Sequence, residues 1–96
     1  EMCKETDRYQ GVLRIESHGK VRYKSRINLP GYYVIGTYST EDEAAIAYNK
    51  AIDILRKNGV TRNYTPNYLE GLSPAVYADI YAHLKISDKI YHYFPE

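Results

Sequence analysis

The spacing of apolar and polar residues divides the chain in two. Residues 21–28 read VRYKSRIN, with Tyr23, Ser25 and Ile27 on one side and Arg22, Lys24, Arg26 and Asn28 on the other. That two-residue period is that of a strand with one face fit for burial and one basic face. Residues 9–15, YQGVLRI, are rich in β-forming types and predict an earlier strand, with ESHGK behind them as a turn. Leu29-Pro30-Gly31 then interrupts the chain, and YYVIGTY at 32–38 resumes a β-branched and aromatic run. Three strands on short connections predict an antiparallel meander.

At Ser39 the period changes. Thr40 followed by Glu43 forms a capping box ahead of an alanine-rich stretch, in which Ala44, Tyr48, Ala51 and Leu55 fall on one helical stripe with Ala47 and Ile52 beside them. Acids occupy the first turn and Arg56 and Lys57 the last, in keeping with the helix dipole, and Asn58-Gly59 ends the element. A helix this rich in alanine can approach its partner closely, and the sheet is the partner on offer. Residues 60–72 contain Pro66 and Gly71 and predict an irregular surface connection. Ser73-Pro74 then caps a second amphipathic helix carrying Val76, Tyr77, Ile80, Tyr81 and Leu84, expected to end near Ile86. SDKIYHYFPE, at the end, has no period that places it. The fold class expected is α+β: a three-stranded antiparallel sheet packed on one amphipathic helix, plus a C-terminal helix.

The 96 residues suit one domain, with residues 9–64 as its sheet-and-helix core and 65–96 as connection and C-terminal helix. The chain opens with EMCKETDRY rather than an initiator methionine, so it is expected to be part of a longer protein. No apolar run reaches the roughly 18 residues a membrane span requires. With Cys3 as the only cysteine, neither an internal disulfide nor a cysteine-based zinc site can form, which suits a reducing compartment. The net charge of +1 conceals an uneven distribution. From Arg8 to Tyr38 six basic residues stand against one acid, whereas from Ser39 onward eight acids outnumber six basic residues. The cationic surface therefore belongs to the strands, which makes polyanion binding a candidate function. Twelve tyrosines and no tryptophan suit a thin core with polar edges.

Several segments together carry a family resemblance: Tyr9-Gln10-Gly11-Val12, YKSRI at 23–27, IGTYST at 35–40 and EDEAAIAYNKA at 41–51, in that order and spacing. The chain over about residues 9–64 resembles the Apetala-two/ethylene-response-factor type of DNA-binding domain. The resemblance implies a three-stranded sheet in the major groove of double-stranded DNA, braced from behind by the helix, with a role in transcription regulation. It implies that Lys24, Arg26 and Asn28 face DNA, in agreement with the alternation read above. Arginine can fork onto guanine, asparagine can pair with adenine, and lysine can reach phosphate or guanine. Lys20 and Arg22 extend the same row toward phosphates. Cations on an exposed strand face also keep a sheet edge soluble, so both readings stand at this point.

Where family members often carry arginine in the first strand, this chain has Gln10 and Leu13. Gln10 can read adenine and Leu13 a thymine methyl, and Arg14 supplies a charge if the register shifts by one. On the third strand Tyr32 and Val34 take the outward positions. Tyr48 matches a helix tyrosine that the resemblance places at a phosphate, with plain helix–sheet packing as the other reading.

His18, His83 and His92 lack metal-ligand spacing, no nucleophile elbow or phosphate loop is present, and no cofactor or enzymatic activity is expected. The expected setting is intracellular, with DNA, in a nucleus or in a prokaryotic nucleoid or cytoplasm. Two other functions compete. One is the DNA-targeting module of a mobile-element endonuclease or integrase; the other is a protein-interaction module using the tyrosine-rich surface. The C-terminal helix either caps the core or provides a homodimer surface.

Overall fold

The three expected strands form, and a fourth joins them. In the computed structural model, which describes residues 2–96, β1 (Met2–Glu5), β2 (Val12–Ser17), β3 (Lys20–Asn28) and β4 (Tyr32–Tyr38) pair antiparallel in the order β1-β2-β3-β4. The three-stranded expectation is thereby corrected. β1 has the sequence MCKE and is exposed throughout, so it has no buried stripe to announce it; it is held by pairing with the free edge of β2.

β2 begins later than expected. Tyr9 turns into the core and its hydroxyl donates to Asp42 Oδ1 at 3.2 Å, while Gln10 and Gly11 form a turn before Val12. At Gly11 the backbone has φ +73°, and a Cβ would collide with the Tyr48 ring and the Arg26 carbonyl, so only glycine fits. The turn into β3 is just His18-Gly19, with φ values of 52° and 76°. Positive φ at both places is the type I′ geometry that matches strand twist, and it leaves Glu16 and Ser17 inside β2.

β3 pairs with β4 through a bulge. Ser25 lies opposite Gly36 and Arg26 opposite Val34, which leaves Ile35 as the extra residue of β4. Ile35 turns inward and is fully buried, and the alternation resumes with Thr37 outward and Tyr38 inward.

Behind the sheet lies α1 (Glu41–Lys57), capped as the sequence predicts: Thr40 Oγ1 accepts from Glu43 N at 3.1 Å, and Glu43 Oε1 accepts from Thr40 N at 3.1 Å. Its stripe of Ala44, Ala47, Tyr48, Ala51, Ile52 and Leu55 is buried with Val12, Ile27 and Ile35 of the sheet.

α2 (Pro74–His83) ends three residues before the expected Ile86, because Leu84 turns to an extended conformation. The change of direction lets Ile86 enter the core and Ser87 N donate to Ile35 O at 2.9 Å on the outer edge of β4. A further short helix, α3 (Asp88–Tyr91), which no periodicity marked, buries Ile90 completely. Tyr77, Ile80, Tyr81 and Leu84 pack onto the core, so the C-terminal segment caps the structure. Among the described residues no helix is long and apolar enough to cross a membrane.

Candidate nucleic-acid interface

The strand registers decide which side chains share a face. Ser25 and Ile27 of β3 are buried toward α1, so Lys20, Arg22, Lys24, Arg26 and Asn28 stand on the opposite side. They are joined there by Leu13, Ile15 and Ser17 of β2, by Tyr32, Val34 and Thr37 of β4, and by Cys3 and Glu5 of β1. Among the described residues, four cations thus face a single carboxylate, that of Glu5, on the side of the sheet no helix covers. A shallow depression of about 530 Å³ runs between Ser17, His18, Lys20, Arg22, Lys24 and Thr37.

The expected residues are only partly assembled. Arg22 and Lys20 are exposed, as are Tyr32 at 61% and Val34 at 45%. Gln10 is exposed in its turn rather than on a strand, and its backbone is fixed at both ends by Asn67: Gln10 N donates to Asn67 Oδ1 at 2.7 Å, and Asn67 Nδ2 donates to Gln10 O at 3.1 Å.

Two assignments are corrected. Leu13 lies on the outer face but is only 7% exposed, set between Glu5 and Lys24 in the floor of the face. Arg14 lies on the other side, in the row with Tyr23 and Tyr38, where its Nη1 is 3.4 Å from Glu16 Oε1. The shift of register that would have brought Arg14 outward is not adopted, because it would expose Val12, which is fully buried.

Arg26 is the most constrained of the cations. Its guanidinium carbon lies 3.9 Å from the centre of the Tyr32 ring, and its Nη2 is 3.8 Å from Glu5 Oε1. A notch of about 170 Å³ beside it is lined by Gln10, Gly11, Asn28, Tyr48 and Tyr64. Tyr64 closes this end, its hydroxyl donating to Asn28 O at 2.5 Å. The Asn28 Oδ1 is enclosed with no partner among the described residues. Tyr48 is 8% exposed, its ring lies against Gly11, and its side chain reaches the same notch. Burial, with smaller contributions from Tyr64 and Tyr32, raises its pKa above the ordinary tyrosine value, so the hydroxyl stays a neutral donor.

Sequence reasoning missed Glu5, Thr37 and Asn67. For Thr37 a signal existed, since an isolated glycine inside a strand, here Gly36, marks a bulge that shifts the following residues. Among the described residues no three His, Cys, Asp or Glu side chains gather into a metal site.

Comparison of the chain with protein-family models, with curated proteins and with solved structures finds no match.

Proposed function

We propose that this domain binds double-stranded DNA sequence-specifically, laying the outer face of its sheet in the major groove. The observation that carries the reading is the row Lys20, Arg22, Lys24 and Arg26, with Asn28 at its end, on the side of the sheet opposite α1, with Lys20 and Arg22 exposed and Lys24, Arg26 and Asn28 half-buried. Successive outward residues of a strand are about 6.7 Å apart, roughly two base-pair rises of about 3.4 Å, so β3 offers one polar side chain per two base pairs. A row that served solubility alone would need no guanidinium braced from two sides.

In this reading Arg26 and Asn28 meet base edges, and Gln10 reads an adenine from its fixed turn. Rotating the Asn28 amide toward the adenine amino group breaks no existing bond of Oδ1. Lys20 and Arg22 grip phosphates, Lys24 serves either a phosphate or a guanine, and Tyr48 donates to a phosphate at the notch. Tyr32 and Val34 supply apolar contact. The domain acts with DNA, and transcription regulation is the role we propose. Tyr77, Ile80 and Tyr81 of α2 pack partly buried on the core while Val76 stays exposed, which favours capping over a dimer surface for this helix.

Selection of duplexes from a random pool, followed by fluorescence anisotropy on the selected site and on a scrambled duplex, tests the proposal. With two or three phosphates neutralised by Lys20, Arg22 and Lys24, affinity should fall roughly ten- to fortyfold between 50 and 200 mM salt. Absent, salt-independent or sequence-indifferent binding would overturn it.

A further inference from the structure

The strand that no pattern predicted places Glu5, the only carboxylate of the outer face among the described residues, beside Arg26. We infer that Glu5 is a positioning residue for specificity: with Tyr32 it holds the Arg26 guanidinium in one orientation and so narrows the choice of Arg26 to guanine. The inference rests on the reading of the domain as a DNA binder.

The geometry supports this in three ways. First, Arg26 is held at two different points, by the Tyr32 ring at 3.9 Å and by Glu5 Oε1 at 3.8 Å from Nη2. A long side chain restrained twice loses much of its rotamer freedom before any partner arrives. Second, at 3.8 Å the contact with Glu5 is a charge pair and not a hydrogen bond, so all five guanidinium N–H donors stay available and two can fork onto guanine O6 and N7. Third, Glu5 itself is 71% exposed, and a pair this open and this long contributes little to stability. The same weakness limits its hold on Arg26: Glu5 biases the orientation of a head group that the Tyr32 ring already positions.

Glu5 also acts on charge. A carboxylate within a cationic face repels phosphates generally, which weakens binding to every duplex while the braced arginine favours one base pair. Removing the charge should therefore move the two quantities in opposite directions.

The experiment compares the wild-type chain with Glu5→Gln, Glu5→Asp, Arg26→Ala and the double variant Glu5→Gln/Arg26→Ala. Each is titrated against the selected site, its single-base-pair substitutions and a scrambled duplex. Thermal melts establish that each variant is folded. For Glu5→Gln the expected result is severalfold tighter binding to scrambled duplex, with discrimination at one guanine reduced about two- to fivefold. Glu5→Asp should restore part of that discrimination. In the Arg26→Ala background, where discrimination at that base pair is already lost, Glu5→Gln should leave it unchanged. A uniform gain on all duplexes, or unchanged discrimination with Glu5→Gln, would overturn the inference and leave DNA binding intact. If the wild-type chain itself selects no duplex, the parent reading fails instead.

Discussion

Asn49 and Asn67 grip each other by two hydrogen bonds, Asn67 N to Asn49 Oδ1 at 2.6 Å and Asn49 Nδ2 to Asn67 O at 2.9 Å. Asn49 is 6% exposed on α1, and Asn67 lies in the irregular connection. Through its own side chain Asn67 then holds both backbone groups of Gln10 and reaches Ala45 O. The helix, the connection and the turn at the edge of the outer face are thus one hydrogen-bonded unit. Asn67→Ala removes three of these bonds and leaves Gln10 N without its acceptor. Two of these bonds are exposed and the one to Ala45 O is partly buried, so a destabilisation of about 1–2 kcal/mol is expected in urea denaturation. Amide exchange at Gln10 should accelerate more than elsewhere in the sheet; uniform acceleration would mean that the turn is held by something else.

Stability should also fall at high pH through Tyr38. Burial, with smaller contributions from Glu43 and Tyr91, pushes its phenol up to about 12, and its hydroxyl donates to Lys85 O at 2.5 Å. A phenol in the unfolded chain titrates near 10. The native state therefore holds the proton more tightly, and the contribution is complete below pH ~10 and lost as pH rises toward 12. The two-unit gap corresponds to about 2–3 kcal/mol. Tyr38→Phe should cost about 1 kcal/mol at pH 8 for the lost bond to Lys85, and the difference from wild type should close and reverse above pH ~10. Parallel stability curves from pH 8 to 12 would refute the assignment.

The parts of this fold that were legible in the sequence are those whose signal is local. Thr40 and Glu43 announce the start of α1 because both partners of the capping box lie within one turn. The alternation of β3 shows which of its residues share a side because Ser25 and Ile27 need burial while Lys24 and Arg26 resist it. What could not be read depends on distant partners. β1 exists because β2 offers it an edge, and nothing in MCKE favours a strand on its own terms. Ile90 belongs to a short helix that is anchored by one buried side chain, too little for a period to register. The candidate site divides the same way: Lys24 and Arg26 were placed by pattern, while Glu5, Leu13 and Arg14 were settled only by strand pairing.

Tyr48 separates packing from contact with DNA. Its ring fills the space above Gly11, whereas its hydroxyl makes no hydrogen bond among the described residues. Tyr48→Phe keeps the ring and should change stability by less than about 0.5 kcal/mol. If the hydroxyl meets a phosphate, the same change should weaken binding to selected and scrambled duplexes alike by about three- to tenfold, as expected for one hydrogen bond of about 1 kcal/mol. Unaltered affinity for both would assign Tyr48 to packing alone.

Arg22 and Asn28 provide the cleanest division between holding DNA and reading it, because they lie on the same strand face yet differ in what they can bond. Arg22 is exposed, in the row with Ile15 and Cys3 near the β2–β3 turn, with no ring or carboxylate bracing it among the described residues. A free guanidinium there suits a phosphate, whose position does not depend on sequence. Arg22→Ala should therefore weaken every duplex by a similar factor and lower the slope of log affinity against log salt by about 0.9. Asn28 carries no charge, its backbone is held by the Tyr64 hydroxyl, and its amide lines the notch. Asn28→Ala should leave the salt slope unchanged and cost about 1–3 kcal/mol on the selected site, with little effect on scrambled duplex. The two variants thus differ in slope as well as in selectivity. Should both lower the slope equally, with no loss of selectivity at Asn28, then the end of β3 touches backbone only, and base reading would have to come from Gln10 and Arg26.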